Sequence, residues 1–111
     1  MYNLFGTNVH LVRSSYLATE GLAVIAYTEN SEVHTVLTVC LPDFYLYEEK
    51  DLAFVDINNN PGIEQFLIKN NLAKPLHFGL DSGYVCYPLY KFDLSKLIGA
   101  DEYEKSNYNC K

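Results

Sequence analysis

The first cluster of apolar positions, Val9, Leu11 and Val12 within residues 8–13 (NVHLVR), predicts a short strand with Val9, Leu11 and Arg13 on one side. Two stronger strand signals follow. Residues 22–28 (LAVIAYT) and 33–41 (VHTVLTVCL) are rich in β-branched and aromatic residues, which suit a pleated, half-buried surface. The polar cluster ENSE lies between them and predicts a turn, hence an antiparallel hairpin. In the second strand Val33, Thr35, Leu37 and Val39 alternate with His34, Val36, Thr38 and Cys40. Both sets contain apolar members, which predicts a central strand covered on part of both faces. Pro42 ends it, because proline cannot donate to a ladder. FYLYEEKD then reads as loop or sheet edge, and AFVDI as a short strand.

The stretch FVDINNNPGIEQFL (residues 54–67) poses a sharper question, because Asp56, Asn58 and Asn60 begin like a calcium loop. Such a loop needs glycine at its sixth position and a bidentate glutamate at its twelfth. Those positions hold Pro61 and Leu67, so the match fails where geometry and charge matter. A helix start explains the residues better. Asn60 can cap, Pro61 fits the first helical position, and Glu64 lies near the positive end of the dipole. Ile63, Phe66 and Leu67 then face a core at helical spacing, and Asn70 and Asn71 close the helix.

Beyond Pro75, LDSG signals a turn, and residues 84–90 read as a strand interrupted by Pro88, so an edge strand or a strand end. Asp93 or Ser95 caps a short helix over residues 94–98, closed by Gly99. Residues 101–111 have little to bury and read as a flexible tail. The expected fold is α+β: a small antiparallel sheet of about five strands, one packed helix and a short C-terminal helix. It forms a single domain over residues 1–100, in keeping with a length of 111 residues.

Composition narrows the function. With 49% hydrophobic and 20% charged residues, the chain has the makings of a core rather than of disorder. The first residues lack a basic end and a long apolar run, and no segment approaches the ~20 apolar residues of a membrane span. Cys40, Cys86 and Cys110 are odd in number and widely spaced, which fits a reducing cytoplasm rather than a disulfide framework. The net charge is −6, and Asp43, Glu48, Glu49, Asp51, Asp56 and Glu64 crowd between Leu41 and Gln65 against the single Lys50. A concentrated negative stretch repels phosphates and attracts basic protein surfaces.

Candidate chemistries fall away in turn. Zinc sites pair their ligands at short spacings, yet no two of His10, His34, His77, Cys40, Cys86 and Cys110 are so spaced. His34 and Cys40, six apart in one strand, would lie ~20 Å from each other. A site assembled across strands, from His34 with Cys86 or His77, remains as the alternative. Ser82, with His77 upstream, precedes a strand, whereas a nucleophile elbow runs from strand to helix. Glu48, Glu49 and Asp51 sit in a polar setting with no pocket to separate their pKa values. There is no phosphate-cradling glycine loop and no basic patch interleaved with aromatics. The expectation is a protein without catalytic residues or cofactor, and without direct contact to nucleic acid or membrane.

Leu41–Asp43, Phe54–Asn59, Ser82–Tyr84 and Tyr87–Asp93 resemble, in order and spacing, a small uncharacterised domain family carried by bacterial mobile elements. The family pattern runs N-L-P-D, F-[IV]-D-x-N-N, a Ser–Gly–aromatic turn and Y-P-L-Y-x-F-D. Cys40 replaces the family's asparagine, and the FYLYEEKD insert is longer. The resemblance covers roughly residues 33–97 and carries no assigned activity. It implies a conjugative or phage-like element in the cytoplasm of a bacterial host. The expected function is inhibition of a host defence enzyme, such as a CRISPR-associated nuclease, in the manner of an anti-CRISPR protein. Asp43, Glu48, Glu49 and Asp51 would face the target's basic nucleic-acid channel, with Tyr45 and Tyr47 as aromatic anchors. The alternative is a structural or regulatory module that self-associates through a sheet edge.

Overall fold

The strand signals at residues 8–13, 22–28 and 33–41 all produce strands, but the third one bends. The computed structural model describes residues 1–16, 21–41 and 50–109, with side chains through residue 104. Its elements run β1 (Tyr2–Leu4), β2 (Thr7–Ser15), β3 (Leu22–Thr28), β4 (Val33–Val36), β5 (Thr38–Val39), β6 (Leu52–Val55), α1 (Ile63–Lys69), β7 (Ala73–Ser82), β8 (Val85–Phe92), a 3-10 turn (Leu94–Lys96), β9 (Ile98–Gly99) and α2 (Ala100–Asn109). The class is α+β and rich in sheet, but the single sheet expected from sequence is two. The first has the order β1-β2-β3-β4, with β9 also on β2; the second has the order β5-β6-β8-β7. All pairings are antiparallel except the short β2–β9 contact.

Leu37 is where one sheet hands over to the other. Its N–H donates to the Val24 carbonyl of β3 at 2.8 Å, and its own carbonyl accepts from Asp56 N at 2.9 Å. The Val24 N–H donates to the Thr38 hydroxyl at 3.1 Å. A side-chain oxygen thus takes the acceptor role that a straight strand's carbonyl would have filled, so the buried amide stays satisfied. The same hydroxyl lies 2.8 Å from Tyr16 Oη. The central strand expected over residues 33–41 is therefore two edge strands in series. β4 ends the first sheet, leaving Val33 and Val36 exposed, and β5 begins the second.

The turn after β6 reinforces this corner. Asn60 is 5% exposed and makes three side-chain bonds. Its Oδ1 accepts from Thr35 Oγ1 at 2.7 Å, and its Nδ2 donates to the carbonyls of Val36 (3.0 Å) and Asp56 (3.2 Å). The expected helix cap at Asn60 is thereby corrected: its side chain is committed to β4, and the helix begins two residues later. Gly62 occupies the cap in the left-handed region, φ 86°, a conformation that costs a residue with a Cβ about 1–2 kcal/mol. Asp56 shapes the same turn, accepting from Asn59 N (3.1 Å) and Nδ2 (2.8 Å). From there α1 follows the sequence reading. Ile63, Phe66 and Leu67 are buried, and Asn70 closes the helix by donating from Nδ2 to the Phe66 carbonyl at 2.9 Å.

The core lies between the inner faces of the two sheets, with Ile63, Phe66 and Leu67 of α1 packed into it. Leu4, Val9, Leu11 and Val24 from the first sheet meet Ala53, Val55, Tyr90 and Phe92 from the second, and Leu37 belongs to the same cluster. Tyr90 brings its hydroxyl into this layer and donates it to Glu64 of α1 at 2.7 Å. Burial, aided by that carboxylate, pushes the phenol far above its ordinary range. A smaller cluster of Leu41, Phe54 and Leu89 forms on the outer face of the second sheet, flanked by Leu52, Leu80 and Tyr87.

Two elements depart from expectation. β7 occupies residues read as a turn region. Its register jumps between Pro75↔Tyr90 and Gly79↔Pro88, so Leu76, His77 and Phe78 all bulge opposite Leu89, and His77 takes φ 58°. Gly79 is then so close to β8 that a Cβ there would meet Cys86 Sγ at 2.7 Å. At the C-terminus, Asp93 does cap a turn, accepting from Ser95 N at 3.1 Å. That turn is a single one of 3-10 type, and Ile98–Gly99 leave it to pair with β2. Where a tail was expected from residue 101, Ala100–Asn109 are helical. The reason is Tyr103, 7% exposed, which stacks on Tyr27 at a ring separation of 4.7 Å and lies 6.0 Å from His10.

The corner carries a stability test. Thr38→Val keeps the shape but leaves the Val24 amide without its acceptor, at a cost of about 2 kcal/mol. The melting temperature should fall by about 8 °C in calorimetry. Asn60→Ala should cost at least as much. Ser95→Ala, on the exposed turn, should shift melting by no more than about 2 °C.

Candidate functional site

The expected partner-binding residues separate into two groups. Asp43, Tyr45, Tyr47, Glu48 and Glu49 lie outside the described residues. Asp51 is described and is half-buried, with its carboxylate 3.7 Å from Lys91 Nζ. Its carbonyl accepts from Phe92 N at 2.7 Å. Two other acids of the same negative stretch also work internally: Asp56 holds its turn together and Glu64 receives Tyr90. The negative stretch is thus not a uniform solvent-facing patch, since all three of its described acids have partners inside the molecule.

The residues weighed for metal or nucleophilic chemistry are dispersed. His10 packs beside Tyr103, His34 is exposed on β4, His77 sits in the β7 bulge, and Cys40 is half-exposed. Cys110 lies outside the described residues. Among the described residues no three His, Cys, Asp or Glu side chains gather as a metal would require. Ser82 pairs with Val85 at the end of the hairpin. Cys86 is exposed and sits opposite Asp81 across the strands. Hydrogen bonding to that carboxylate pushes the thiol pKa up, which disfavours the thiolate that a nucleophile needs.

Two features stand out at opposite ends of the second sheet. At one end β8 loses its inner neighbour: β6 pairs only with Leu89, Tyr90 and Lys91. Pro88 sits at that boundary, where a missing N–H costs no bond to β6. From Gly79 to Pro88 the chain continues as a two-stranded ribbon, paired through Gly79↔Pro88, Leu80↔Tyr87, Asp81↔Cys86 and Ser82↔Val85. Tyr84 at its tip is fully exposed, and Leu76 and Phe78 at its root are exposed as well.

At the other end, about 23 Å away at 3.3 Å per residue, the sheet closes in a cleft of about 610 Å³ lined by Lys74, Lys91 and Lys96 with Asp51, Asp93 and Ser95. A second concavity of about 240 Å³, lined by Arg13 and Lys50, adjoins it across Leu94, which belongs to both. Six lysine and arginine side chains are described, and five of them line these two hollows; only Lys69 does not. Such a patch is invisible in the sequence, where these cations are scattered from residue 13 to residue 96. Antiparallel pairing of β7 with β8 and the return of the 3-10 turn bring Lys74, Lys91 and Lys96 together, and Leu94 of that turn reaches the hollow where Arg13 of β2 and Lys50 lie. Ser95 hydrogen bonds hold the Asp93 carboxyl below its usual range, and Lys96 and Lys74 add to that effect.

Fold and site together define a sheet-rich α+β domain with an aromatic-tipped ribbon and a cationic cleft. The chain belongs to the family described as a domain of unknown function, DUF4313, whose match spans residues 10–110. No curated protein and no solved structure matches it. Among the described residues no helix is long and apolar enough to cross a membrane.

The Asp81–Cys86 pair can be checked directly. Removing the negative charge in Asp81→Asn should lower the thiol pKa and raise the rate of Cys86 alkylation at pH 8 several-fold. Peptide mass spectrometry would follow Cys86 separately from Cys40 and Cys110. An unchanged rate would mean that the carboxylate does not control the thiol.

Proposed function

We propose that this protein is a non-enzymatic binding protein of a bacterial mobile element, acting in the host cytoplasm to inhibit a defence nuclease as anti-CRISPR proteins do. The observation that carries the reading is the projecting ribbon with Tyr84 bare at its tip. A tyrosine offers a large, stiff contact area with a polar end, and tyrosines are over-represented among residues that dominate binding energy. The acid- and Tyr-rich residues 42–49 follow directly on Leu41, which packs in the cluster flanked by Leu80 and Tyr87 of the ribbon. Asp43, Glu48 and Glu49, with Asp81 of the ribbon, supply negative charge suited to a basic nucleic-acid channel on the target.

Self-association through a sheet edge is the competing reading, and β7, at ten residues the longest of the edge strands, is the one with most backbone to offer. Pro75 and the bulge at residues 76–78 interrupt that edge. Such interruptions are how proteins blunt strand edges against pairing. Light scattering should therefore report a monomer.

The functional test is DNA cleavage by purified CRISPR-associated nucleases with the protein added in excess. Cleavage by one nuclease type should stop. Tyr84→Ala, and separately the triple variant Asp43→Lys, Glu48→Lys, Glu49→Lys, should each weaken inhibition at least tenfold while melting within about 3 °C of wild type. Full inhibition by the charge-reversed protein would reduce those acids to a solubilising role. Unimpaired cleavage across nuclease types would end the inhibitor reading.

A further inference from the structure

We propose that the cleft at the base of the second sheet binds the phosphate groups of a small molecule through Lys74, Lys91 and Lys96. The first support is the register. Lys74 of β7 stands directly opposite Lys91 of β8, and like charges so placed repel each other. The charge of Asp93 is felt at Lys74, but among the described residues Lys74 has no direct hydrogen bond or ion pair that would relieve the repulsion. An anion between the two ammonium groups would.

The second support is how the third cation is held. Lys96 Nζ donates to the Asn71 carbonyl at 2.9 Å, and Asn71 presents that carbonyl from a left-handed turn, φ 55°. The ammonium is anchored by one donor at the cleft wall, with two donors left for a ligand. Two carboxylates share the cleft, Asp51 at 3.7 Å from Lys91 Nζ and Asp93, which accepts from the hydroxyl and the amide of Ser95, and the three ammonium groups outnumber them.

Size and field select the ligand class. A volume of about 610 Å³ falls in the range of small-molecule sites. The adjoining hollow with Arg13 and Lys50 extends the positive field to one side, which suits two linked phosphates better than one. Polynucleotide binding needs many phosphate contacts along a basic stripe, and this chain carries a net charge of −6 with five of its six described cations gathered around two adjoining hollows. Lysines serve such a site as point charges around a phosphate.

The experiment titrates full-length protein with sodium pyrophosphate at constant low ionic strength, following amide shifts by NMR and melting by calorimetry. Sodium sulfate is the control for salting effects. Pyrophosphate should shift residues 74, 91 and 96 saturably and raise the melting temperature more than sulfate does. Lys74→Gln and Lys96→Gln should each weaken binding about ten- to a hundredfold. Without ligand, Lys74→Gln should melt no lower than wild type, because it removes the opposed charge. ADP in a parallel titration identifies the source: tighter binding than pyrophosphate points to a nucleotide, and equal binding to a free polyphosphate, both within the proposal. An equal rise in melting temperature with sulfate, an unchanged affinity in both variants, or binding to a single-stranded oligonucleotide alone would overturn it. Tyr84→Ala should leave the titration unchanged, so failure here and failure of the partner-binding reading are separable.

Discussion

The corner at which one core comes to serve two sheets turns on a buried hydroxyl, that of Thr38. Where β4 becomes β5, the strand must turn away from β3, and turning would strand the buried amide of Val24. Thr38 supplies the missing acceptor, while Leu37 bonds to both sheets through its own backbone. Asn60 then fixes the angle from behind by binding the last carbonyl of β4. Only with that corner in place do the inner faces of β2 and β3 look toward those of β6 and β8, with α1 closing the space between. The polar residues here are few and buried, and each is fully committed. That is the condition under which buried polar groups specify a structure rather than weaken it.

Much of the fold was legible because local and global signals agree. β2, β3 and β4 arise where β-branched and aromatic residues concentrate, joined by the polar turn that the sequence marks, and α1 presents Ile63, Phe66 and Leu67 as its spacing requires. The failures have physical causes. β7 carries Pro75, Gly79 and a three-residue bulge, each of which breaks the alternation that marks a strand. α2 is polar apart from Ala100, Tyr103 and Tyr108, too few to announce a helical face; a stacking partner 76 positions earlier, Tyr27, covers Tyr103. Asn60 looked like a helix cap because it precedes Pro61, and only the presence of β4 beside it explains where its side chain goes.

Charge was harder still. Negative residues adjacent in sequence proved to serve different ends, with Asp51, Asp56 and Glu64 each bound to a different internal partner. Positive residues remote in sequence proved to be neighbours. Spacing along the chain says little about electrostatic patches in a sheet protein, since one strand pairing can set residues 17 apart, such as Lys74 and Lys91, face to face. The ribbon shows a related limit. Its turn was readable from LDSG, but its projection depends on where β6 stops, and β6 lies some 30 residues away.

The excess in the β7 bulge is even. Between the pairs on either side, β7 advances four residues while β8 advances two. Because side chains alternate with a period of two, an even surplus leaves inside and outside unchanged across the defect. Leu80 and Tyr87 therefore emerge beyond it on the same side as Leu89 and Phe54, and the arm inherits the orientation of the body. Loss or gain of one residue at this point would turn the arm over, burying what it now displays. Length variation in this segment is thus expected to come in steps of two.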